Sequence, residues 1–215
     1  TPIITQRMCF CKKNRGEVAR GSAWALVTGA AVGIGREYAE RLAELGYNLY
    51  LVDIRKEIIE EAMAIEHHHR VKCVPKVLDL SEVGAARRLH ATTTDEGYEF
   101  DVVVNNAGIF SFCDILNTPL ERIEHLLQLH DVTLTTMCRL YGEDMVKRGK
   151  GHLLNMSSYS IWMPFPGLAL YSASKAYVKG FSEAFSRELR KTGVSVTAIC
   201  PAGIATDLYG LSKDL

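Results

Sequence analysis

Short apolar runs alternate with longer helical patterns along most of this chain, and few folds accommodate that alternation. Runs rich in Val, Leu and Ile predict strands at Trp24–Thr28, Asn48–Asp53, 72–78, 101–105, 152–157 and 194–200. Such runs are typical of strands covered on both faces. Amphipathic patterns predict helices at about 33–45, 56–67, 81–91, 119–148 and 171–191, the last two long and continuous. The order predicts an α/β fold, a doubly wound parallel sheet in a three-layer, Rossmann-like α/β/α domain.

Charge and composition limit the classes of partner. Residues 1–22 carry five basic side chains against the single Glu17 and predict a basic N-terminal arm, whereas 23–215 form the Rossmann-like domain. The 25 basic and 25 acidic residues cancel, which argues against nucleic acid as a partner. The sequence shows no secretory signal pattern and no 18-residue apolar span, and we expect a cytoplasmic protein with a small-molecule partner.

The cysteines and histidines give no strong metal signal. Six scattered cysteines in a chain of this length predict free thiols in a reducing compartment: Cys9, Cys11, Cys73, Cys113, Cys138 and Cys200. Cys9 and Cys11 lack the two-residue spacer of a zinc knuckle. The histidine triple 67–69 ends a charged helical stretch and predicts a solvated face. We therefore predict no metal site.

A glycine-rich turn, TGAAVGIG at 28–35, joins the first predicted strand to the first predicted helix. Gly29 can turn the chain off the strand, and Gly33 lets the backbone approach a pyrophosphate. Gly35 allows the helix to pack close to the sheet. A small-residue turn that binds nothing is the alternative, but a strand before it and a helix after it favour a dinucleotide site.

An acidic residue ends the second predicted strand, eighteen residues after Gly35. At about this separation a carboxylate accepts hydrogen bonds from an adenosine ribose, so Asp53 favours NAD over NADP. Val32 and Ile54 are apolar and offer no counter-charge to a 2′-phosphate. Arg55 could still reach such a phosphate and keeps NADP as the alternative.

Three polar residues converge at the start of the last predicted helix. Tyr171 and Lys175 are four residues apart and share one helix face, and Ser158 follows a strand across a charge-free loop. A phenol titrates near 10, and a neighbouring ammonium favours the phenolate, as an acid/base group requires. An amphipathic helix with a snorkelling lysine is the alternative. The neighbouring Ser157 points to the opposite face in a strand, which favours Ser158.

Taken together, these motifs resemble the short-chain dehydrogenase/reductase family over about 22–206. The resemblance rests on the TGxxxGxG turn, the tetrad NNAG at 105–108 and the thirteen-residue step from Ser158 to Tyr171. It implies an NAD(P)(H)-dependent oxidoreductase that interconverts a secondary alcohol and a ketone or aldehyde. Tyr171 would pass the proton, Ser158 would orient the substrate oxygen and Lys175 would hold the nicotinamide ribose. The implied cofactor-binding residues are Gly29, Gly33, Ile34, Gly35, Asp53, Asp79, Leu80, Asn106, Ala107, Gly108, Tyr171, Lys175, Pro201, Ile204 and Thr206.

The chain departs from the family pattern at two places. Where the family commonly has a catalytic asparagine, twenty-eight residues before Ser158, this chain has His130. An imidazole could hold a water that relays protons to Lys175, but it could also charge near neutrality and repel that lysine; a solvated helical histidine is the alternative. The chain also ends at Leu215, whereas family members continue through a lid helix and a seventh strand, so the resemblance implies that these are missing.

The loop before Tyr171 bears on the substrate. Its apolar residues predict a hydrophobic substrate wall, with core packing as the alternative: Trp162, Met163, Phe165, Pro166 and Leu168. The helices 119–148 and 171–191 resemble those through which family members pair, and imply a homodimer or homotetramer. Association of the protein with a membrane is an alternative that the sequence leaves open. From another class, a dinucleotide-binding regulator or scaffold without turnover is the rival hypothesis.

Overall fold

A parallel sheet of six strands forms the centre of the molecule. The structure, a computed structural model, describes residues 22–163 and 165–202. The strands are β1 (Trp24–Thr28), β2 (Asn48–Asp53), β3 (Cys73–Val77), β4 (Phe100–Asn105), β5 (Gly151–Met156) and β6 (Val194–Ile199). The helices are α1 (Gly33–Glu44), α2 (Ile58–His69), α3 (Ala85–Asp95), α4 (Leu120–Leu127), α5 (Leu134–Arg148) and α6 (Ala169–Glu188). The strand order is β3-β2-β1-β4-β5-β6, and every pairing is parallel.

Helices cover both faces of this sheet, which is why its central strands are rich in buried apolar residues. All six residues of β2 are buried. One core cluster packs the sheet against α1 and α2 through Leu42 and Ile58. The other packs it against α3, α5 and α6 through Leu89, Met137 and Val178. This arrangement confirms the predicted doubly wound, three-layer fold.

The strand order reverses between β1 and β4. β2 and β3 lie to one side of β1, whereas β4, β5 and β6 lie to the other. Connections that leave neighbouring strands in opposite directions open a crevice at their carboxyl ends, where α/β proteins bind ligands. The fold therefore places the turns after β1 and β4 at the mouth of one cleft.

Helical residues run without a break from Leu120 to Arg148, as predicted for 119–148, but the helix is not α-helical throughout. A π-helical segment, Gln128–Thr133, separates α4 from α5. Its buried Thr133 donates its hydroxyl to Leu80 O at 2.8 Å, so the segment packs on the loop after β3. The hydrophobic periodicity of a sequence cannot distinguish one π-helical turn from the α-helical turns around it. Such π-helical turns are frequent at functional sites.

The histidine triple is only partly solvated. His67 and His68 are exposed, but His69 Nε2 lies 2.6 Å from Glu40 Oε2, and its side chain is 11% exposed. The prediction of a solvated face is therefore wrong for His69, because the end of α2 packs against α1. Among the described residues no group of three or more His, Cys, Asp or Glu side chains could hold a metal ion.

The structure also bears on the predictions about the cysteines, the basic arm and membrane spans. Cys73, Cys113, Cys138 and Cys200 are free thiols, and burial raises the pKa of Cys73 and of Cys138 to about 12. Cys9, Cys11 and all of the basic arm except Ser22 lie outside the described residues. Within the described ranges, no helix has the length and apolar character needed to cross a membrane.

Candidate active site

The glycine-rich turn makes a close junction between β1 and α1. Gly29 and Gly33 have φ of 64° and 58°, in the left-handed region that glycine adopts without strain. A Cβ on Gly35 would lie 1.9 Å from Gly29 O, so the first turn of α1 packs directly on the turn. The N-cap residue Val32 gives no side-chain cap. The first N–H groups of α1 are therefore available to an anionic ligand.

The turns after β1 and β4 are fastened to each other by Thr28 and Asn106. Thr28 Oγ1 accepts hydrogen bonds from the N–H of Asn106 and of Ala107, both at 3.0 Å. The Asn106 amide donates back to Thr28 O at 3.1 Å and to Gly29 O at 3.0 Å. Asn106 was predicted to bind the cofactor, and its side chain holds the glycine-rich turn in shape.

Most of the predicted site residues line one cleft of about 270 Å³. The predicted residues that line it are Gly29, Gly33, Ile34, Asp53, Asp79, Leu80, Asn106, Ala107, Gly108, Ser158, Tyr171, Lys175 and Pro201. Gly35 packs behind the glycine-rich turn, and His130 lies behind Gly108. Ile204 and Thr206 lie outside the described residues.

One end of the cleft is acidic. Asp53 Oδ2 accepts the N–H of Ala31 and Oδ1 accepts the N–H of Arg55, both at 2.9 Å. These two bonds fix the carboxylate at the end of β2, and each oxygen keeps a lone pair for a ribose hydroxyl. Asp79 is held in the same way, because its Oδ1 accepts the N–H of Ser81 at 2.8 Å.

Tyr171 and Lys175 stand one turn apart at the other end of the cleft, near the start of α6. Lys175 Nζ lies 5.8 Å from the centre of the Tyr171 ring and donates to Met156 O at 3.0 Å. Burial lowers the Lys175 pKa to about 8, and the charge of Asp131 opposes that shift. An ammonium thus stays close enough to the phenol to stabilise a phenolate.

The two candidate serines have different environments. Ser157 Oγ donates to Lys175 O at 2.6 Å and is committed to the packing of α6 on β5. Ser158 Oγ accepts the N–H of Ser160 at 3.2 Å, and no described residue accepts its hydroxyl hydrogen. This difference favours Ser158 as the hydroxyl that could donate to a substrate oxygen, and its role stays a prediction.

His130 is buried, so the alternative of a solvated helical histidine is wrong. It is 1% exposed, because the π-helical segment turns it towards α6. Burial first, and then the charge of Lys175, hold its pKa well below the ordinary 6.5. Its Nε2 accepts the N–H of Ile109 at 3.0 Å, and Nδ1 lies 2.9 Å from Ser174 Oγ. Both ring nitrogens have protein partners, and the proton relay through a water at His130 stays a prediction.

Several groups near the cleft were missed by the sequence analysis. The carbonyl of Met156 and the N–H of Ile109 are backbone groups, which no side-chain pattern reveals. His125 and Leu129 line the cleft from α4 and the π-helical segment. Ser174 could have been found, because it lies three residues after Tyr171 and hence on the same face of α6.

The apolar loop before α6 is largely exposed. Trp162 is 55% exposed, Met163 is 50% exposed and Phe165 is 58% exposed, so core packing does not explain these three residues. Phe112 is 61% exposed and belongs to the neighbouring loop, which is joined to this one by a 2.9 Å hydrogen bond from Cys113 N to Gly167 O. None of these four side chains is among the residues that line the cleft, so the hydrophobic substrate wall stays a prediction.

Comparison with known proteins gives relatives along most of the chain. The model of the short chain dehydrogenase family matches residues 23–214. A protein of Mycobacterium tuberculosis named "Probable oxidoreductase EphD" is 34% identical over 189 residues, which cover 87% of this chain and 32% of that protein. The very-long-chain 3-oxoacyl-CoA reductase-B of Danio rerio is 33% identical over 208 residues, which cover 93% of this chain and 66% of the reductase. The chain thus spans about a third of the first relative and about two thirds of the second.

Solved structures give the same family. A short-chain dehydrogenase from Sphingobium yanoikuyae in complex with NADPH matches with a TM-score of 0.83 at 29% identity, covering 87% of this chain and 73% of that one. The bulky-bulky ketone specific alcohol dehydrogenase from Comamonas testosteroni matches with a TM-score of 0.81 at 28% identity, covering 85% and 73%. The chain therefore belongs to the short-chain dehydrogenase/reductase family of oxidoreductases, with a Rossmann-type nucleotide-binding fold.

Proposed function

We propose that this protein interconverts a secondary alcohol and a ketone or aldehyde, with a nicotinamide dinucleotide as cofactor and Tyr171 as the acid/base. The observation that carries the proposal is that Ser158, Tyr171 and Lys175 line the same cleft as the glycine-rich turn. A phenol and an ammonium at one end of a dinucleotide cradle are the groups that such a reaction needs.

Tyr171, Ser158 and Lys175 have different roles in the proposed reaction. When bound, the nicotinamide supplies or accepts the hydride. Tyr171 donates its proton to the carbonyl oxygen in reduction and removes the alcohol proton in oxidation. Ser158 donates a hydrogen bond to the same oxygen and fixes its position. Lys175 lowers the free energy of the phenolate and, with N–H groups beyond the one given to Met156 O, holds the ribose.

Asp53 supports NAD as the preferred cofactor. Its carboxylate is fixed at the end of β2 and would repel a 2′-phosphate. NADP is the alternative, supported by the relative from Sphingobium yanoikuyae in complex with NADPH and by Arg55 at the cleft wall.

A hydrophobic carbonyl or alcohol fits the exposed apolar loops beside Tyr171. Two relatives support this class, since one is named a very-long-chain 3-oxoacyl-CoA reductase and the other is bulky-bulky ketone specific. We also propose a homodimer or homotetramer formed through the outer faces of α5 and α6. The cytoplasmic location stays a prediction.

The decisive experiment is turnover with and without the phenol. The absorbance of NADH and NADPH is followed with a panel of hydrophobic ketones, aldehydes and secondary alcohols. We expect Tyr171→Phe to lower kcat by about 10²–10⁴-fold, the contribution of a positioned acid/base group, and to leave coenzyme affinity nearly unchanged. Tyr38→Phe is the matched control, because Tyr38 lies on α1 and is not among the residues that line the cleft.

Two outcomes would contradict the proposal. Turnover that survives Tyr171→Phe would remove the phenol from the chemistry. Coenzyme binding with no turnover across the panel would favour the rival function, a dinucleotide-binding regulator or scaffold.

A further inference from the structure

His130 connects two parts of the site that come from different segments of the chain. Its Nε2 accepts the N–H of Ile109, in the turn after β4. Its Nδ1 meets Ser174 Oγ, on α6. Ser174 Oγ donates its own hydrogen to Tyr171 O at 2.8 Å, so it has only a lone pair to offer the imidazole. The hydrogen-bond pattern therefore places the hydrogen on Nδ1, leaves Nε2 bare and makes the ring neutral.

Gly108 and Tyr171 also pack closely around the His130 ring. A Cβ added to Gly108 would lie 3.0 Å from His130 Nε2 and 3.4 Å from Lys175 Nζ. The imidazole and the Tyr171 ring form a T-shaped pair, with centroids 5.9 Å apart and planes at 71° to each other. The imidazole thus lies between the turn after β4 and the face of α6 that carries Tyr171 and Lys175. This packing leaves no room for a larger residue at Gly108.

We propose that His130 is a positioning residue whose neutral, Nδ1-protonated ring holds the turn after β4 against α6, and we call this arrangement the His130 clamp (His130, Ile109 and Ser174). The clamp sets the separation between the wall of the cofactor cleft at Gly108 and the pair Tyr171 and Lys175. It acts through those residues, because both ring nitrogens are occupied by protein groups. Its effect on turnover rests on the function proposed above.

The charge of the ring decides whether the clamp is closed. An imidazolium has no lone pair, so its Nε2–H would point at the N–H of Ile109. Lys175 and Tyr171 face the ring from α6 and Asp131 adjoins it in the π-helical segment, whereas the turn after β4 presents backbone. Burial and the Lys175 charge both disfavour the imidazolium, so the clamp stays closed at neutral pH.

The tautomer can be read directly by NMR on the full chain labelled with ¹⁵N-histidine. The His130 signals are assigned by their loss in His130→Gln. We expect the Nδ1–H tautomer and a neutral ring at pH 6.5, where an unperturbed imidazole is half charged. An Nε2–H tautomer, or a His130 ring that is half charged at pH 6.5, would overturn the proposal.

Two amide substitutions separate the halves of the clamp. An asparagine amide overlies the Nδ1 position and keeps the bond to Ser174, whereas a glutamine amide overlies the Nε2 position and keeps the bond to Ile109. We expect His130→Asn to raise the Kd of the reduced coenzyme about tenfold, since the N–H of Ile109 loses its acceptor. We expect His130→Gln to leave that Kd within about threefold and to lower kcat about tenfold.

Ser174→Ala tests the same link from the other side. It should reproduce the effect of His130→Gln on kcat, and the double variant should be no worse than either single one. His67→Gln, at an exposed position of α2, is the matched control and should change neither constant. Equal effects of His130→Asn and His130→Gln on both constants would overturn the clamp.

The readouts keep this proposal apart from the proposed function. The tautomer and the coenzyme Kd need no turnover. A chain that binds coenzyme with the predicted tautomer and the predicted loss in His130→Asn, but converts no alcohol or carbonyl, would contradict the proposed reaction and support the clamp.

Discussion

Lys175 is the residue whose chemistry depends most on its surroundings. It is buried at the start of α6, and burial lowers its pKa from 10.5 to about 8 despite the opposing charge of Asp131. A shift of this size costs roughly 3 kcal/mol of folding free energy while the ammonium is charged. The unfolded chain binds this proton up to higher pH than the folded one, so the cost is complete below pH 8 and disappears towards 10.5. The fold tolerates this cost and thereby keeps a cation beside Tyr171.

Asp131 adds a second unfavourable charge beside this lysine. Burial raises its pKa from 3.8 to about 6, and the charge of Lys175 opposes that shift. Its buried Oδ1 has no hydrogen-bond partner among the residues that the structure describes. We expect Asp131→Asn to stabilise the protein by about 1 kcal/mol above pH 6, a value discounted because solvent reaches this half-buried side chain. The gain should fade between pH 6 and pH 4, where the native carboxyl becomes neutral. Urea unfolding at pH 8 and at pH 4.5 measures it.

The same substitution has a consequence for the lysine. Since the charge of Asp131 raises the Lys175 pKa, its removal should move that pKa below 8, and the alkaline limb of the pH–rate profile should move with it. Asp95→Asn, at the exposed end of α3, is the control and should leave that limb in place. A loss of stability at pH 8 in Asp131→Asn would show that its attraction to Lys175 outweighs its burial.

Among the elements, β4, β5 and α6 are connected by a buried polar network centred on Asn155. Asn105 Nδ2 donates to Asn155 Oδ1 at 2.8 Å, and Asn155 Nδ2 donates to Ser182 Oγ at 2.9 Å. Cys138 Sγ, from α5, lies 3.4 Å from the same Oδ1. Because Asn155 is fully buried, water cannot replace these bonds.

Removing Asn155 should therefore weaken the packing of three elements at once. We expect Asn155→Ala to lower the free energy of unfolding by about 2–4 kcal/mol, because it leaves the Asn105 amide with only the weak acceptor Cys138 Sγ and opens a small cavity. Ser195→Ala removes an exposed hydrogen bond to His152 on the neighbouring strand, and should cost under about 0.5 kcal/mol. Equal urea midpoints for the two variants would contradict this account.

The elements also show where prediction from sequence succeeds and where it stops. β1 and β2 have the predicted bounds, and the other strands differ by a residue or so at their ends, because strands covered on both faces give nearly continuous apolar runs. Helical spacing predicted that Tyr171 and Lys175 share one face of α6, but their assignment to the site also needed the thirteen-residue step from Ser158 and the other family motifs. The π-helical segment and the environment of His130 were not, since they depend on Ile109 N and Ser174 Oγ, which the sequence does not place beside the ring.

At the scale of the whole molecule, the cleft draws on both halves of the sheet. Gly29 and Asp53 come from the half formed by β1, β2 and β3, whereas Gly108, Ser158 and Lys175 come from the half that begins at β4. A ligand that spans the cleft contacts both halves only when the chain is folded. Its binding free energy should therefore add to the stability of the entire domain.

Thermal unfolding with coenzyme tests this linkage and the choice of coenzyme together. At a hundred times its Kd, NADH should stabilise the protein by about 2.7 kcal/mol, which corresponds to a rise in Tm of about 5–10 °C for a domain of this size. Gly35→Ala should abolish the rise, because its Cβ would lie 1.9 Å from Gly29 O and displace the glycine-rich turn. Gly180→Ala is the matched control, since a Cβ there meets nothing within 4 Å, and it should keep the full rise.

If the carboxylate of Asp53 selects the coenzyme, NADPH should raise the Tm of the native protein less than NADH at equal concentration, and Asp53→Ala should narrow that difference. If Gly35→Ala does not fold, Asp53→Ala still tests the dinucleotide site. A Tm that neither coenzyme raises would contradict the dinucleotide site. An equal rise in Gly35→Ala and Gly180→Ala would contradict the role of the turn, because a ligand bound elsewhere would not depend on the close approach of α1 to Gly29.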